Sequence, residues 1–130
     1  MARKAVDNWF SLAEYEPYQG AVYMDQVQAV IREKVLEFYR AARQAFPIRK
    51  VLLYGSHAKG RATEESDIDV AVVVDETDHS RRAEITAGLF DSAFHVDPAI
   101  EPKCIFWDEY IDHDKASILG EIIDTAIEIV

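Results

Sequence analysis

The sequence predicts a small α/β (α+β) domain in which a mixed sheet of about three strands is flanked by helices. Two observations support this prediction. Short apolar runs rich in β-branched residues occupy the middle of the chain, and apolar stripes with helical spacing lie on both sides of them. A length of 130 residues fits one domain. We divide it into an N-terminal segment (1–24), a long helix (25–46) and a core (47–130).

The first clear element is a predicted helix from Asp25 to Phe46. Asp25 is suited to cap its first turn, and Pro47 cannot continue a helix and therefore ends it. Residues 5–15 have the composition of a further short helix. The inner stripe of the long helix consists of Val27, Val30, Ile31, Val35, Phe38, Tyr39, Ala42 and Phe46.

Three segments after Pro47 have the composition of strands. The runs VLLYG, which ends at Gly55, and DIDVAVVV, which ends at Val74, are apolar at consecutive positions. This pattern is typical of central strands that are covered on both faces. The polar stretch between them predicts a short helical turn that begins at Ser56, followed by a loop. A third strand is predicted over Ala99–Phe106, at an edge of the sheet because it contains Pro102.

Two more helices complete the predicted order of elements. The first runs from Ser80 to Phe94, and the second runs from Ile118 to Val130 with apolar residues at regular spacing. The inner stripe predicted for the first of them is Ile85, Leu89, Phe90 and Phe94.

Composition excludes several classes of protein. The chain has 24 acidic and 14 basic residues and a net charge of −10, so an extended nucleic acid would be repelled. The same acidity is also compatible with a role in solubility alone. Cys104 is the single cysteine, which excludes an internal disulfide and a zinc cluster of cysteines. No apolar run reaches the roughly 18–20 residues that cross a bilayer, and no secretion signal is evident. We therefore expect a cytoplasmic protein without membrane contact.

Two aspartates at the start of the second strand predict a cation site. Because side chains alternate along a strand, Asp67 and Asp69 project from the same face and repel each other unless a cation or a proton lies between them. Oxygen ligands of this kind suit Mg²⁺ or Mn²⁺, which retain waters and take further ligands from substrate phosphates.

The end of the first strand predicts a phosphate site. Gly55 has no side chain to block a ligand, and the backbone N–H groups after it, together with the hydroxyl of Ser56, can face a phosphate. The two features together would hold a nucleoside triphosphate, with its outer phosphates on Gly55–Ser56 and its metal on the aspartates. A lone Asp-x-Asp is weak evidence, since Asp112-His113-Asp114 is a second one. A Gly-Ser pair at the end of a strand ten residues upstream makes the first far more specific.

The segment GSHAKGRATEESDID resembles the signature of the polymerase-β-like nucleotidyltransferase superfamily. The short length of the chain is similar to that of the minimal nucleotidyltransferase (MNT) group, whose members are often paired with a HEPN-domain protein. The resemblance implies the polymerase-β-like fold, triphosphate binding by Gly55 and Ser56, and divalent metal binding by Asp67 and Asp69.

The resemblance also implies a third carboxylate on a later strand, which completes the metal site and can activate an acceptor hydroxyl. In VDPAIEPKCIF we favour Glu101, and Asp97 is the alternative. The predicted catalytic and metal-binding residues are therefore Asp67, Asp69 and Glu101. The glutamate is one methylene longer than the usual aspartate.

Three functions are compatible with such a site. We favour Mg²⁺-dependent transfer of AMP from ATP to a hydroxyl of a protein partner, because the short chain leaves no spare domain for a large acceptor. The resemblance implies a HEPN-type toxin as that partner and an antitoxin role. The alternatives are an antitoxin that neutralises its partner by binding alone, and a transferase for small molecules such as aminoglycosides. The last would need a pocket formed by homo-oligomerisation.

Residues near this motif have less specific assignments. Lys59 and Arg61 could pair with outer phosphates, or they could be solvated surface cations. His57 could face either the substrate or water. Trp107 and Tyr110 are expected to pack against the core rather than to stack on a base.

Overall fold

The computed structural model describes residues 17–130, with side chains from residue 28 onward. The predicted helix over residues 5–15 therefore lies outside the described residues. The chain divides into two compact units, Met1–Glu33 and Lys34–Val130. All four strands and every predicted site residue belong to the second unit.

Helix α1 spans Pro17–Ala42, so the predicted bounds of 25 and 46 are wrong at both ends. At the C-terminal end, the backbone N–H groups of Ala45 and Phe46 both donate to the carbonyl of Ala42 at 3.0 Å, which closes a tight turn. The residue before a proline disfavours helical backbone angles, and Phe46 precedes Pro47. The helix therefore ends before the proline rather than at it. In the part of α1 that belongs to the second unit, the fully buried residues of the inner face are Val35, Phe38 and Ala42.

The sheet has four strands in the order β3-β2-β1-β4. Strand β1 is Ile48–Tyr54, β2 is Ile68–Val74, and β3 is Ile100–Phe106. Strand β1 is antiparallel to β2, and β2 is parallel to β3. All residues of β2 except Asp69 are buried, which confirms the prediction of a central strand covered on both faces. Because β3 lies at an edge, Pro102 occupies the kind of position that was predicted for it.

The fourth strand, β4 (Ile127–Glu128), was not predicted. The helix expected to reach Val130 instead ends at Thr125, and Ala126 adopts an extended conformation with ψ of 157°. Strand β4 is antiparallel to β1, and Ile129 donates a backbone hydrogen bond to Val51 at 2.8 Å. Pairing with the otherwise open edge of β1 outweighs the helical spacing of the last isoleucines, because it satisfies backbone groups along that edge.

Helix α2 (Arg82–Val96) follows a short 3₁₀ helix (His79–Arg81) and packs against β3. Asp78 caps the 3₁₀ turn through a hydrogen bond from the backbone N–H of Ser80 at 3.1 Å. The predicted inner stripe is correct for Ile85 and Leu89, which are buried together with Ala93. It is wrong for Phe90 and Phe94, which are 45% and 66% exposed. Both side chains therefore stay partly in solvent instead of joining the buried core.

Two short helices, α3 (Trp107–Ile111) and α4 (Ile118–Thr125), complete the unit. They pack against a buried cluster on one face of the sheet. Trp107 and Tyr110 pack on it, as predicted, with their rings stacked at a centroid distance of 5.6 Å. The cluster consists of Leu52, Ala71, Val73, Ile105 and Ile122. Among the helices that the structure describes, none combines the length and apolar character required to span a bilayer.

Candidate active site

The turn after β1 brings the backbone against the carboxylate of Asp69. Gly55 has a φ of +75°, a conformation that residues with a Cβ rarely adopt. A Cβ atom at this position would overlap Oδ2 of Asp69. Glycine is therefore required here for two independent reasons, backbone conformation and space, and its backbone forms one wall of the site.

The residues after Gly55 form consecutive turns rather than the short helix that was predicted from Ser56. The N–H of Lys59 donates to the carbonyl of Gly55 at 3.1 Å, and the N–H of Arg61 donates to Ser56 at 2.9 Å. The second bond spans five residues, so the helical pattern does not propagate. Within the described chain, the N–H groups of Ser56, His57 and Ala58 donate to no other atom. Phosphate binding at this turn, as the sequence predicts, would use these three adjacent amides.

The acidic residues meet along one row across the sheet. Asp69 is the register partner of Tyr54 on β1 and of Glu101 on β3. Paired residues in neighbouring strands project from the same face. Asp67 immediately precedes β2 and lies close enough to Glu101 to stabilise its protonated form. The structure thus brings together Gly55, Asp67, Asp69 and Glu101, which are distant in sequence.

The carboxylates of this row repel one another. The interaction with Asp67, followed by burial and the charges of both aspartates, raises the pKa of Glu101 above its ordinary value. Burial, followed by the charge of Asp67, raises the pKa of Asp69. Such mutual repulsion favours a bound proton or a bound cation between the groups. A carboxylate with a raised pKa is also a better general base.

Asp97, the alternative third carboxylate, has a different environment. Its Oδ2 accepts a hydrogen bond from Nζ of Lys34 at 2.7 Å, and its Oδ1 accepts one from the N–H of Ala99 at 2.8 Å. The bond from Lys34, followed by that from Ala99, lowers the pKa of the Asp97 carboxyl. Asp97 therefore links α1 to the start of β3, whereas Glu101 is the carboxylate that lies beside Asp67 and Asp69.

Two residues of the site were not included in the predicted set. His57 is half-buried, and burial lowers its pKa, while its contact with the backbone of Ser66 and the charge of Asp69 oppose that shift. Tyr54 is raised in pKa by burial and then by the charges of Asp69 and Glu101. The pairing of Tyr54 with Asp69 depends on strand register, which the sequence alone does not define.

The two loop cations differ in their contacts. Nζ of Lys59 lies 3.8 Å from Oε2 of Glu121 on α4, and both side chains are substantially exposed. Arg61 is exposed and has no side-chain partner within the described part of the chain. The exposed pair between Lys59 and Glu121 is weak and can exchange for a phosphate. Both cations are therefore exposed on the loop after Gly55, where pairing with a phosphate stays a prediction.

The second Asp-x-Asp sequence has a local structural role. Asp114 accepts a hydrogen bond from the N–H of Ala116 at 2.9 Å, and its carbonyl accepts one from the hydroxyl of Ser117 at 2.5 Å. Ser117 in turn caps α4 through the N–H of Gly120 at 3.0 Å. This segment shapes the entry to a helix and is not adjacent to the Gly55 turn in sequence or in register.

A divalent metal fits the donor set of the site in part. The available atoms are carboxylate oxygens, which Mg²⁺ and Mn²⁺ prefer, and their repulsion would be relieved by a cation. In residues 28–130, however, no three His, Cys, Asp or Glu side chains are positioned as a complete metal centre. Asp67 and Asp69 would hold the ion, and phosphate oxygens and water would supply the remaining ligands, as is common for Mg²⁺.

Comparisons with known proteins agree with this geometry. The family described as "Polymerase beta, Nucleotidyltransferase" matches residues 33–129, which is most of the chain. The chain therefore belongs to the polymerase-β nucleotidyltransferase family. The resemblance seen in the Gly-Ser and Asp-x-Asp motifs is confirmed, and so are the fold class and, at the level of the family, the nucleotidyltransferase class.

Two curated relatives come from the archaeon Methanocaldococcus jannaschii. The protein named "Putative protein adenylyltransferase MJ1379" is 35% identical over 49 residues, which cover 38% of this chain and 49% of the relative. The protein named "Putative protein adenylyltransferase MJ0604" is 44% identical over 43 residues, or 32% of this chain and 43% of the relative. The matched stretches span less than half of either relative. Both similarities are consistent with the minimal nucleotidyltransferase group.

Proposed function

We propose that this protein is a Mg²⁺-dependent adenylyltransferase that transfers AMP from ATP to a hydroxyl group of a protein partner. The observation that carries the proposal is the convergence of the free amides after Gly55 with the carboxylates of Asp67, Asp69 and Glu101. The names of the two archaeal relatives support adenylyl transfer to protein. The resemblance to the minimal nucleotidyltransferase group supports a HEPN-domain toxin as the partner, with this protein as its antitoxin.

The proposed reaction joins the acceptor oxygen to the α-phosphorus of ATP. The bond from that phosphorus to the oxygen bridging the β-phosphate breaks, and pyrophosphate leaves. The amides after Gly55 and the hydroxyl of Ser56 bind the outer phosphates and orient the leaving group. Glu101 accepts the proton of the acceptor hydroxyl, because it lies beside Asp69 in the neighbouring strand. A divalent ion on Asp67 and Asp69 would neutralise charge on the transferred and departing oxygens.

Labelling distinguishes this function from its alternatives. The protein is incubated with Mg²⁺, ATP labelled at the α-phosphate, and the product of the adjacent gene, tested as the proposed HEPN-domain partner. We expect label on the HEPN protein, and we expect the Asp67→Ala/Asp69→Ala variant to lose at least about 10³-fold in rate. The Asp112→Ala/Asp114→Ala variant removes the same charge from the other Asp-x-Asp sequence and should retain transfer.

Two results would contradict the proposal. Neutralisation of the partner that survives the Asp67→Ala/Asp69→Ala substitution, without any label, would assign an antitoxin that acts by binding alone. Label on an added aminoglycoside, and not on the protein partner, would assign a small-molecule transferase. Calorimetry with MgATP gives an independent measurement, because it reports nucleotide affinity whether or not the protein partner is labelled.

A further inference from the structure

A groove runs along the free edge of β3, from the proposed acceptor base to an exposed aromatic ring. Its volume is about 350 Å³. Tyr54 and Glu101 line the end nearest the candidate site, and Thr86 and Phe90 of α2 line the opposite wall. Glu101 belongs both to the groove and to the candidate active site. A ligand in the groove therefore lies beside the carboxylate that would accept the hydroxyl proton.

The backbone edge of β3 offers little for pairing with another strand. Pro102 has no N–H group, and Nη1 of Arg82 donates to the carbonyl of Cys104 at 3.0 Å. The charge of Arg82 is also compensated, because its Nη2 lies 2.6 Å from Oε2 of Glu109. Recognition in this groove therefore depends on side chains rather than on an added strand.

Two side chains in the groove lack a partner of their own. Phe90 is 45% exposed, although it lies on a helix whose inner face is buried. Lys103 lines the groove two residues from Glu101 and has no ion-pair partner within residues 28–130. A ligand that fits these groups presents an apolar surface to Phe90 and a negative charge to Lys103.

We infer that this groove binds the acceptor segment of the protein partner, through an apolar side chain on Phe90 and an acidic residue on Lys103. The inference rests on the proposed function and specifies its acceptor. Charge complementarity at the Lys103 end of the groove supports an acidic side chain of a peptide, and the exposed ring of Phe90 supports an apolar one. The acceptor hydroxyl then lies at the Glu101 end of the groove.

The test uses peptide libraries with a fixed central Tyr, Ser or Thr and random flanking positions. The libraries are incubated with the full chain, Mg²⁺ and ATP labelled at the α-phosphate, and labelled peptides are sequenced. We expect acidic residues to be enriched at one flanking position and apolar residues at another. The Lys103→Glu variant should enrich basic residues at the first of these positions, and Lys103→Arg should retain the acidic preference.

Substitutions on α2 test the apolar part of the groove. Phe90→Ala should raise the KM for the best peptide at least tenfold with kcat changed less than twofold. Phe94→Ala is the matched control, because Phe94 is exposed one turn away and does not line the groove. It should leave the KM within twofold, and neither variant should change the affinity for MgATP.

The outcomes separate the groove from the proposed function. If MgATP binds but no peptide is labelled, if labelling shows no flanking preference, or if Phe90→Ala and Phe94→Ala behave alike, the assignment of the groove is wrong. Preferential labelling of an aminoglycoside over every peptide would also overturn it. Absence of metal-dependent ATP binding in the wild-type chain would instead overturn the proposed function.

Discussion

Gly55 shows how one residue couples the turn after β1 to the carboxylate of Asp69. Its backbone lies so close to Asp69 that the side-chain volume of even an alanine is excluded, and its φ of +75° is itself unfavourable for other residues. The absence of a side chain at Gly55 therefore affects both the backbone of the turn and the space left for Asp69. A substitution here changes the position of the carboxylate as well as the shape of the turn.

We predict that Gly55→Ala weakens the affinity for MgATP at least tenfold and destabilises the fold by about 1–3 kcal/mol. The added methyl group forces Asp69 away from its present position. Gly60→Ala is the control for backbone strain alone, since Gly60 has a similar φ of +71°. Calorimetry for binding and urea denaturation for stability measure both effects. Equal losses of affinity in the two variants would contradict a specific role for Gly55.

Asp69 is predicted to destabilise the metal-free protein. Its pKa is raised in the fold by burial and by Asp67, so the folded state binds a proton more tightly than the unfolded state does. Stability must then fall as the pH rises from the ordinary carboxyl value of 3.8 through the raised folded value. At neutral pH, Asp69→Asn should raise Tm by about 1–4 °C, equivalent to less than about 1 kcal/mol because solvent screens the charge.

Thermal denaturation with and without Mg²⁺ tests this prediction. Added Mg²⁺ should raise the Tm of the wild type, because an ion that binds the folded state stabilises it, and should have little effect on Asp69→Asn. Asp75→Asn, at an exposed carboxylate after β2, is the control. A lower Tm for Asp69→Asn at neutral pH without metal would contradict the prediction.

At the scale of elements, the start of β3 carries two carboxylates with separate tasks. Asp97 links this end of the strand to Lys34 of α1, and its lowered pKa shows that the ionised form is favoured in the fold. Glu101 lies one short stretch further along, beside the aspartates of β2. The same segment thus provides an anchor and a candidate base.

We predict that Asp97→Asn mainly affects stability and that Glu101→Gln mainly affects catalysis. Asp97→Asn should lower the free energy of unfolding by about 1 kcal/mol, discounted for the 40% exposure of the Lys34 side chain, and leave kcat nearly unchanged. Glu101→Gln should slightly raise stability at neutral pH, because it relieves the same carboxylate repulsion, and should lower kcat at least 10²-fold.

The pH dependence provides the control for Asp97. A lowered folded pKa contributes stability above the ordinary value of 3.8, and that contribution is lost as the pH falls through the folded value. The difference in stability between the wild type and Asp97→Asn should therefore vanish on acidification. Loss of transfer activity in Asp97→Asn with the fold intact would make Asp97, rather than Glu101, the third carboxylate.

At the scale of the whole molecule, charge governs how the protein meets a partner. We expect the negative field of a net charge of −10 to repel nucleic acids and to accelerate association with a basic protein. This long-range effect differs from the local contact proposed for Lys103, which selects one residue of the acceptor. The two effects act at different distances and respond differently to salt.

We predict that the association rate with a basic partner falls about tenfold between 50 mM and 0.5 M salt. Stopped-flow measurements at several salt concentrations give the slope. The Asp67→Ala/Asp69→Ala variant should retain most of that slope, because it removes two of 24 acidic residues. A rate independent of salt would show that the acidic surface does not steer association.

Much of the fold was predictable because its elements follow local rules. Apolar runs of β-branched residues predicted β1 and β2, and Pro102 predicted the edge position of β3. Errors occurred where tertiary contacts outweigh local pattern. The isoleucines after Thr125 have helical spacing but pair with β1, and Phe90 and Phe94 fit an apolar stripe but remain exposed.

The sequence by itself determined the family, because Gly55-Ser56 and Asp67-x-Asp69 carry their chemistry in local spacing and in the ends of adjacent strands. It left the third carboxylate open between Glu101 and Asp97. Only the tertiary structure placed Glu101 in the row with Asp69 and paired Asp97 with Lys34. The physical reason is strand register: which side chains face each other across a sheet depends on pairing between segments distant in the chain. No spacing within one segment encodes that pairing.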